Sequence, residues 1–156
     1  MRTELNYKTK GGKRMITNKP SDNRATPEWL KQVFSDYFDP CPLNPNPTVD
    51  GLELEWKDKT FVNPPYSKPA DWIYKAIEES KKGKTIVLLM RFDPTTKYFR
   101  ALIENDAHIF YCGERLEFIN PEEPKNYKSP FPSILVILNK DTILAVSQPE
   151  ESKDEI

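Results

Sequence analysis

Apolar residues recur along this chain with two different periods, and together the two patterns predict an α/β fold. Helical spacing of the apolar residues predicts three helices, at residues 27–37, 69–82 and 95–105. Short apolar and β-branched runs predict strands at residues 36–40, 60–62, 85–90, 107–112, 115–119, 133–139 and 142–147. Strand and helix alternate from residue 60 to residue 112, an order typical of a parallel sheet.

The most apolar strand segments, "TIVLLM" at residues 85–90 and "SILVILN" at residues 133–139, show no regular alternation with polar residues. A strand of this kind is buried on both faces, as in a parallel sheet. The run at residues 142–147 follows after Lys140-Asp141, so the pattern predicts a closing antiparallel hairpin. Three prolines between residues 120 and 131 predict a loop there.

Two of the predicted helices have recognisable ends. Thr26 precedes Pro27 and Glu28, an order that predicts Thr26 as the N-cap and Pro27 as the first helical residue. Gly83 follows the last apolar position of the second helix and is interpreted as its stop.

The two ends of the chain differ in composition from its middle. The first 24 residues carry seven basic side chains against two acidic ones, and residues 150–155 carry four acidic side chains and one lysine. We therefore expect a flexible basic arm at residues 1–24, a single domain at residues 25–148 and an acidic flexible tail at residues 149–156. The arm fits two interpretations, a segment that attracts phosphates or a solvated terminus.

Length and composition narrow the class of protein further. A chain of 156 residues with a net charge of −1 fits one domain. A domain of this length can bury a hydrophobic core that needs no disulfide bond or metal ion to stabilise it. The two cysteines, Cys41 and Cys112, together with the lack of a signal-peptide pattern, indicate a reducing interior rather than a disulfide scaffold. No apolar run approaches the roughly 18 residues that a membrane span needs. We expect a soluble cytoplasmic protein with no membrane partner. His108 lies within a predicted strand and is interpreted as a structural residue, and no metal site is predicted.

The stretch "FVNPPYS", residues 61–67, carries the strongest candidate chemistry. Phe61 and Val62 build strand, but the two prolines that follow Asn63 cannot continue it, since proline has no N–H and a fixed φ. The side-chain oxygen of Asn63 and the carbonyl of Pro64 become rigidly placed acceptors beside the flat ring of Tyr66. That arrangement suits a planar group bearing an amine.

A second candidate segment is "DPCPLNPNPTVDG", residues 39–51, in which four prolines forbid regular structure. In α/β sheets, ligands bind beyond the carboxyl ends of strands. Asp39 stands at such an end if the short strand before it forms, and Asn63 stands at another.

These residues resemble a known family, the phage-type (Dam-like) DNA N6-adenine methyltransferases. Asn63-Pro64-Pro65-Tyr66 matches the (Asn/Asp/Ser)-Pro-Pro-(Tyr/Phe/Trp) motif of amino-directed methyltransferases. Further matches occur in the family's order: "TPEWL" (26–30), "FDPC" (38–41), "DGL" (50–52), "RLEF" (115–118) and "SPFPSILVIL" (129–138). The resemblance implies a compact, reduced Rossmann-like methyltransferase sheet, mostly parallel, with an antiparallel C-terminal hairpin.

The resemblance also implies an activity and a set of site residues. It implies methyl transfer from S-adenosylmethionine to the N6 amine of a flipped-out adenine in DNA, with Asn63, Pro64, Pro65 and Tyr66 as the catalytic corner. The implied cofactor-binding residues are Thr26, Pro27, Asp39, Pro40, Cys41 and Asp50. The first cofactor segment contains no glycine before Gly51, and no residue is identified as the acid that holds the cofactor's ribose.

Two alternatives stay open on sequence alone. The same corner serves any planar amine, so a glutamine side chain of a protein or an RNA base is an alternative substrate. The glycine-free cofactor segment fits a catalytically degenerate module that only binds nucleic acid. Arg91, Lys97 and Arg115 are interpreted either as phosphate contacts or as solvated charges. A homodimer that covers a duplex, and a host-cell cytoplasm if the protein is viral, are further expectations.

Overall fold

The computed structural model describes residues 25–42, 50–112, 116–119, 126–129 and 131–139. This part of the chain contains three helices, α1 Glu28–Val33, α2 Pro69–Lys81 and α3 Lys97–Glu104. It also contains six strands: β1 Lys59–Val62, β2 Thr85–Arg91, β3 His108–Tyr111, β4 Glu117–Ile119, β5 Asn126–Lys128 and β6 Ser133–Leu138. The expected basic arm, the acidic tail and the strand at residues 142–147 lie outside the described residues.

Four of these strands form one mixed sheet in the order β1-β2-β6-β3. β1 and β2 are parallel, with Val62 beside Leu88, whereas β6 is antiparallel to both β2 and β3. Because β6 lies between β2 and β3 and opposes each of them, β1, β2 and β3 all run in the same direction. The residues that follow Val62, Arg91 and Tyr111 therefore share one edge of the sheet, called the carboxyl edge below.

The expected α/β class is confirmed, but the prediction of a mostly parallel, Rossmann-like sheet is wrong. Among the described strands, β1 and β2 form the one parallel pair, and a single parallel bridge joins Phe38 to Thr60. The apolar runs at residues 85–90 and 133–139 indicated burial on both faces. Burial of both faces is equally available to a strand whose neighbours are antiparallel, so the runs could not reveal the orientation of β6.

Side chains of β2 alternate between the two faces of the sheet. Ile86, Leu88 and Met90 join a core cluster with α2 and α3, which contribute Trp72, Ile73, Ala76, Ile77, Ala101 and Leu102. Val87 and Leu89 point to the other face, where they pack with Leu30 of α1, Phe61 and Leu116. This alternation follows from the two-residue period of a strand. Helices on both faces thus bury β2 almost completely, as the sequence predicted.

The second and third helices match their predicted positions closely. α2 has Pro69 in its first turn and is followed by Gly83 with φ 92°, a conformation that glycine adopts without steric cost. α3 begins after Thr96, whose hydroxyl accepts a hydrogen bond from the Phe99 N–H at 3.3 Å. No helix within the described ranges is both long and apolar enough to cross a membrane.

The first helix is shorter than predicted and begins differently. It ends at Val33, and the predicted continuation to residue 37 is wrong because the chain turns out of the helix to pair with β1. Phe38 N–H donates to the Lys59 carbonyl at 2.9 Å, and Phe61 N–H donates to the Phe38 carbonyl at 2.8 Å. These two bonds form one isolated bridge at Phe38. The strand predicted at residues 36–40 is therefore limited to this bridge.

A small hairpin lies where the sequence predicted only a loop. β4 pairs with β5 in antiparallel register, with Phe118 beside Tyr127. The prediction of a loop over residues 120–131 is therefore wrong at residues 126–128. The sequence does not reveal this three-residue strand, because prolines lie on both sides of it. The strand forms through its pairing with β4 rather than through local preference.

Candidate active site

The parallel bridge between Phe38 and Thr60 brings the two candidate segments together. Asp39 follows Phe38 and Asn63 follows β1, so the two segments run next to each other in the same direction, toward the carboxyl edge. The sequence predicted this neighbourhood from the rule that ligands bind beyond the carboxyl ends of strands. Asn63 directly follows β1, whereas the segment before Asp39 makes a single bridge rather than the expected strand, so the shared ligand site stays a prediction.

The Asn63-Pro64-Pro65-Tyr66 corner joins the end of β1 to the start of α2. Pro64 is buried, whereas Asn63, Pro65 and Tyr66 are half-buried. The chain turns after Pro65, whose carbonyl accepts from the Lys68 N–H at 3.4 Å just before α2 begins. Because neither proline has an N–H, the corner presents carbonyl acceptors without competing donors at these two positions.

The ring of Tyr66 lies on the α1 side of the sheet. It packs against the core cluster formed by Leu30, Phe61, Val87, Leu89 and Leu116. This backing leaves the ring half-buried rather than fully enclosed. A flat ring held in this way can take a second flat group on its remaining surface.

Asn63 makes a side-chain contact that the sequence did not predict. Its Nδ2 donates a hydrogen bond to the hydroxyl of Thr26 at 3.2 Å, across 37 positions of the chain. Thr26 was predicted as the N-cap of the first helix, and that prediction is wrong. Pro27 occupies the N-cap position, and no side chain caps α1.

Pro27 occupies the N-cap position of α1 and is not exposed at the surface. It is buried, and its carbonyl accepts hydrogen bonds from Leu30 N–H at 3.0 Å and Lys31 N–H at 3.1 Å. The proline therefore starts α1 close to Thr26 and so helps to bring the hydroxyl of Thr26 beside Asn63.

Asp39 forms a tight local turn at the carboxyl edge. Its Oδ1 accepts a hydrogen bond from the Cys41 N–H at 2.9 Å. The residue keeps an exposed surface, yet burial of its carboxyl raises the pKa above the ordinary value, opposed by the Cys41 hydrogen bond and the charge of Lys31. A carboxylate in such a position attracts a cationic group, because burial makes a compensating charge more favourable.

Pro40 and Gly51 lock the two ends of the proline-rich segment together. Gly51 is buried, and a Cβ atom at that position would lie 1.8 Å from the Pro40 carbonyl oxygen. The Gly51 carbonyl in turn accepts a hydrogen bond from the Trp56 indole N–H at 2.9 Å. Gly51 was not among the predicted site residues, although its position as the first glycine after the cofactor segment was a usable signal.

Asp50 lies in a backbone turn, and Cys41 packs against the core. Oδ1 of Asp50 accepts from the Leu52 N–H at 3.0 Å and closes a turn next to Gly51. Cys41 is half-buried and is not part of a disulfide, and its side chain packs against the main core cluster. The segment of residues 39–41 thus follows the Phe38 bridge to β1, and Asp50 lies at the Gly51 turn, whose backbone contacts Pro40.

A cation–π pair lies at the same edge of the sheet, at the end of β2. The guanidinium carbon of Arg91 lies 3.5 Å from the centre of the Phe131 ring, and an Arg91 nitrogen is 3.9 Å from an Asp93 carboxylate oxygen. Both Arg91 and Phe131 remain partly exposed. The sequence named Arg91 as a phosphate candidate but gave no sign of its contact with Phe131, because 40 positions separate the two residues.

A groove near the amino end of β1 shares Asp39 with the candidate site, whereas His108 lies apart from it. An open groove of about 780 Å³ lies at the amino end of β1, lined mainly by residues 36–39 and 57–59, and it does not include Asn63. Within the described ranges, no group of three or more His, Cys, Asp or Glu residues could hold a metal ion. His108 starts β3 at the amino end of that strand, away from the carboxyl edge.

Comparison with known proteins identifies the class to which this fold and corner belong. The profile of the family described as DNA N-6-adenine-methyltransferase (Dam) matches residues 16–155. The chain therefore belongs to this family, and the resemblance inferred from the sequence motifs is confirmed. The family is named for methyl transfer to the N6 amine of adenine in DNA.

One curated relative supports the same assignment. The DNA N-6-adenine-methyltransferase of Haemophilus phage HP1 is 32% identical over 115 residues, covering 63% of this chain and 66% of the phage protein. The chain thus spans just under two thirds of the length of this relative. No solved structure matches the chain.

Proposed function

We propose that this protein transfers a methyl group from S-adenosylmethionine to the N6 amine of adenine in DNA. Family membership supports the class of reaction. The observation that carries the proposal is the position of the Asn63 corner, beside the Asp39 segment at the carboxyl edge. An amine acceptor and a methyl donor must meet at one place, and this edge joins the two candidate segments.

The corner residues hold the amine. The exocyclic amine of adenine is a weak nucleophile, because its lone pair is delocalised into the ring. Oδ1 of Asn63 and the carbonyl of Pro64 accept its two N–H bonds, which favours a pyramidal nitrogen with the lone pair turned toward the methyl group. These acceptors act by positioning and by electrostatic stabilisation that grows as the nitrogen becomes cationic. No strong base is needed, since the proton leaves only after charge develops.

Tyr66 stacks on the adenine ring and Pro65 keeps the corner rigid. A base inside a duplex cannot reach the corner, so the target adenine is flipped out of the helix. The half-buried ring of Tyr66, supported by the Leu30 cluster, supplies the surface on which the flipped base rests. Stacking of this kind accepts the base from one side and leaves its amine directed at Asn63 and Pro64.

The segment Asp39-Pro40-Cys41 holds the cofactor. When bound, S-adenosylmethionine supplies an electrophilic methyl group on a sulfonium centre. The donor set fits: Asp39 offers a carboxylate for a cationic group, and the Pro40–Gly51 contact fixes the backbone next to it. Asp50 lies in the turn that carries Gly51, and Pro27 starts α1, which spans Glu28–Val33. Partial burial of Asp39 strengthens its attraction for positive charge.

The experiment that tests the function is methyl transfer from labelled S-adenosylmethionine to mixed-sequence DNA, with digestion of the product to nucleosides. We expect N6-methyladenine from the wild type and a loss of at least about a hundredfold with Asn63→Ala, the order of effect of removing an electrostatic contact made in the transition state. Asn139→Ala is the matched control, because Asn139 donates to the Thr85 hydroxyl at 2.8 Å at the opposite end of the sheet.

Three outcomes separate the alternatives. N6-methyladenine that depends on Asn63 but not on Asn139 supports the proposal. Methyl transfer to RNA or to a protein glutamine, but not to DNA, would replace the substrate. DNA binding without any methyl transfer would favour the degenerate binding module. The predicted homodimer stays a prediction, and sedimentation velocity with and without a duplex tests it.

A further inference from the structure

The hydrogen bond between Thr26 and Asn63 assigns a role to Thr26 that the sequence did not. The resemblance placed Thr26 among the residues that bind the cofactor. In the structure, the Thr26 hydroxyl instead accepts from Nδ2 of Asn63 at 3.2 Å. Thr26 is only 7% exposed, so its hydroxyl lies inside the protein rather than on a binding surface.

Local structure explains why this hydroxyl is directed toward Asn63. A threonine before a helix would ordinarily cap it, but Pro27 takes the N-cap position with φ −52° and ψ 141°. The Pro27 carbonyl accepts the first intrahelical hydrogen bonds of α1, from the N–H groups of Leu30 and Lys31, and no side chain caps the helix. The Thr26 hydroxyl therefore does not cap α1, and it accepts from Asn63 at the end of β1 instead.

The bond matters because a carboxamide has two ends of opposite character. Nδ2 can only donate and Oδ1 can only accept. Because the carboxamide is planar, a donor contact from Nδ2 to Thr26 directs Oδ1 to the opposite edge of the group. A rotation of the amide by 180° would present N–H groups to the substrate amine, donor against donor, and would remove one of the two acceptors of the corner.

We propose that Thr26 is a positioning residue for methyl transfer, which keeps the Asn63 side chain in the orientation that presents Oδ1 to the target amine. This role rests on the proposed function, since it matters only if Asn63 accepts from an amine. It differs from cofactor binding, because Thr26 acts through Asn63 and makes no contact with the methyl donor.

The test compares Thr26→Val, which keeps the shape and removes the hydroxyl, with Thr26→Ser, which keeps the hydroxyl. A net hydrogen bond of ordinary strength predicts a single-turnover rate lower by about three- to tenfold for Thr26→Val at saturating DNA and cofactor. Thr26→Ser should restore most of the rate. The S-adenosylmethionine dissociation constant, measured by calorimetry, should change by less than about twofold in both.

Thr85→Val is the matched control. It removes the hydroxyl that accepts from Asn139 at 2.8 Å, a bond of the same chemistry at the opposite end of the sheet. We expect it to change stability and to leave the methyl-transfer rate unchanged. Thermal unfolding of each variant separates a loss of rate from a loss of folded protein.

A double variant gives a second criterion. If Thr26 acts only through Asn63, then Thr26→Val adds no further loss of rate in an Asn63→Ala background. Additive losses would overturn the proposal. So would a Thr26→Val enzyme with the wild-type rate, a Thr26→Ser enzyme as slow as Thr26→Val, or a Thr26→Val enzyme whose defect is confined to cofactor affinity.

A readout without activity keeps this proposal separate from the proposed function. The side-chain amide signals of Asn63 in a ¹⁵N–¹H spectrum, assigned by their loss in Asn63→Ala, should shift in Thr26→Val and return toward wild type in Thr26→Ser. Unchanged signals in Thr26→Val would refute the contact. A wild type that shows the contact but makes no N6-methyladenine would refute the proposed function instead.

Discussion

Gly51 lies so close to the carbonyl of Pro40 that the two backbone segments are in direct contact. A Cβ atom on residue 51 would lie 1.8 Å from the Pro40 oxygen and 2.9 Å from a ring carbon of Trp72. Glycine is needed here for space. Gly83, by contrast, is needed for its positive φ of 92° and has nothing within 4 Å of an added Cβ. A side chain is therefore excluded at residue 51 by lack of space, and at residue 83 by the backbone conformation.

Gly51→Ala should displace the Asp39-Pro40-Cys41 segment and weaken the protein. We expect a loss of about 3 kcal/mol in the free energy of unfolding, at the upper end for overpacking, because the atoms in contact are backbone. Cofactor affinity should fall with it. Gly83→Ala should cost only about 1 kcal/mol and leave cofactor binding unchanged. Chemical denaturation and calorimetry measure both, and equal cofactor affinities in the two variants would contradict the assignment.

The buried ion pair between Glu79 and Lys84 should make the free energy of unfolding depend on pH. Glu79 is 3% exposed and Lys84 is 8% exposed, and Nζ of Lys84 donates to Oε2 of Glu79 at 2.5 Å and to the Trp56 carbonyl. Burial by itself would raise the pKa of Glu79, but hydrogen bonds from Lys84 and Lys82 outweigh it and lower the pKa below the ordinary 4.5.

The sign of this pH effect follows from the direction of each shift. Because the pKa of Glu79 is lowered on folding, its stabilising contribution is complete above pH 4.5 and is lost as the pH falls through the folded value. The hydrogen bond to Glu79 raises the pKa of Lys84 above 10.5, partly opposed by burial, so that contribution is present below 10.5 and is lost as the pH rises further.

Glu79→Gln should therefore flatten the fall in stability below pH 4.5. At pH 7, Glu79→Gln should cost about 1–3 kcal/mol, because the buried Lys84 loses its nearest carboxylate but keeps Glu55 at 3.7 Å and the Trp56 carbonyl. Arg100→Ala is the control, since the Arg100–Glu104 pair is exposed and should contribute only about 0.5 kcal/mol. Urea unfolding from pH 3 to pH 8 measures both. An acid limb as steep in Glu79→Gln as in the wild type would sink the prediction.

Tyr66 should contribute through its ring rather than its hydroxyl. We expect Tyr66→Phe to keep methyl transfer within about threefold and Tyr66→Ala to lose about ten- to a hundredfold, as stacking of one base is worth about 1–3 kcal/mol. Fluorescence of 2-aminopurine at the target position should show less flipped base with Tyr66→Ala. Tyr111→Ala, at a side chain 71% exposed on β3, serves as the control. Equal activity of Tyr66→Ala and wild type would remove Tyr66 from the site.

Arg91, stacked on Phe131, should bind a DNA phosphate at the carboxyl edge. Stacking holds the guanidinium in a fixed direction while both groups stay partly exposed. Arg91→Ala should weaken DNA binding across sequences and reduce the slope of log K against log salt by about one. Arg100→Ala, an arginine on α3 paired with Glu104, should leave the slope unchanged. An unaltered slope in Arg91→Ala would show that this arginine is a solvated charge.

Much of the site could be predicted from sequence because its signals are local. Two prolines after a strand end define the Asn63 corner whatever the rest of the chain does. The order of apolar runs gave the helices at residues 69–82 and 95–105 and strands of about the right length. The pairing of Thr26 with Asn63 and that of Arg91 with Phe131 could not be predicted, since each joins residues far apart in sequence.

The amino-acid sequence by itself determined the α/β class, the proline corner after Asn63 and the family, because composition, proline placement and ordered motifs are properties of short segments. Tertiary structure alone decided that β6 lies antiparallel between β2 and β3, since this strand pairing joins residues more than 20 positions apart in the sequence. It also decided that α1 stops at Val33, that Thr26 turns from the helix to Asn63, and that Pro40 contacts Gly51. In each case a long-range contact outweighed a local preference, as packing commonly does.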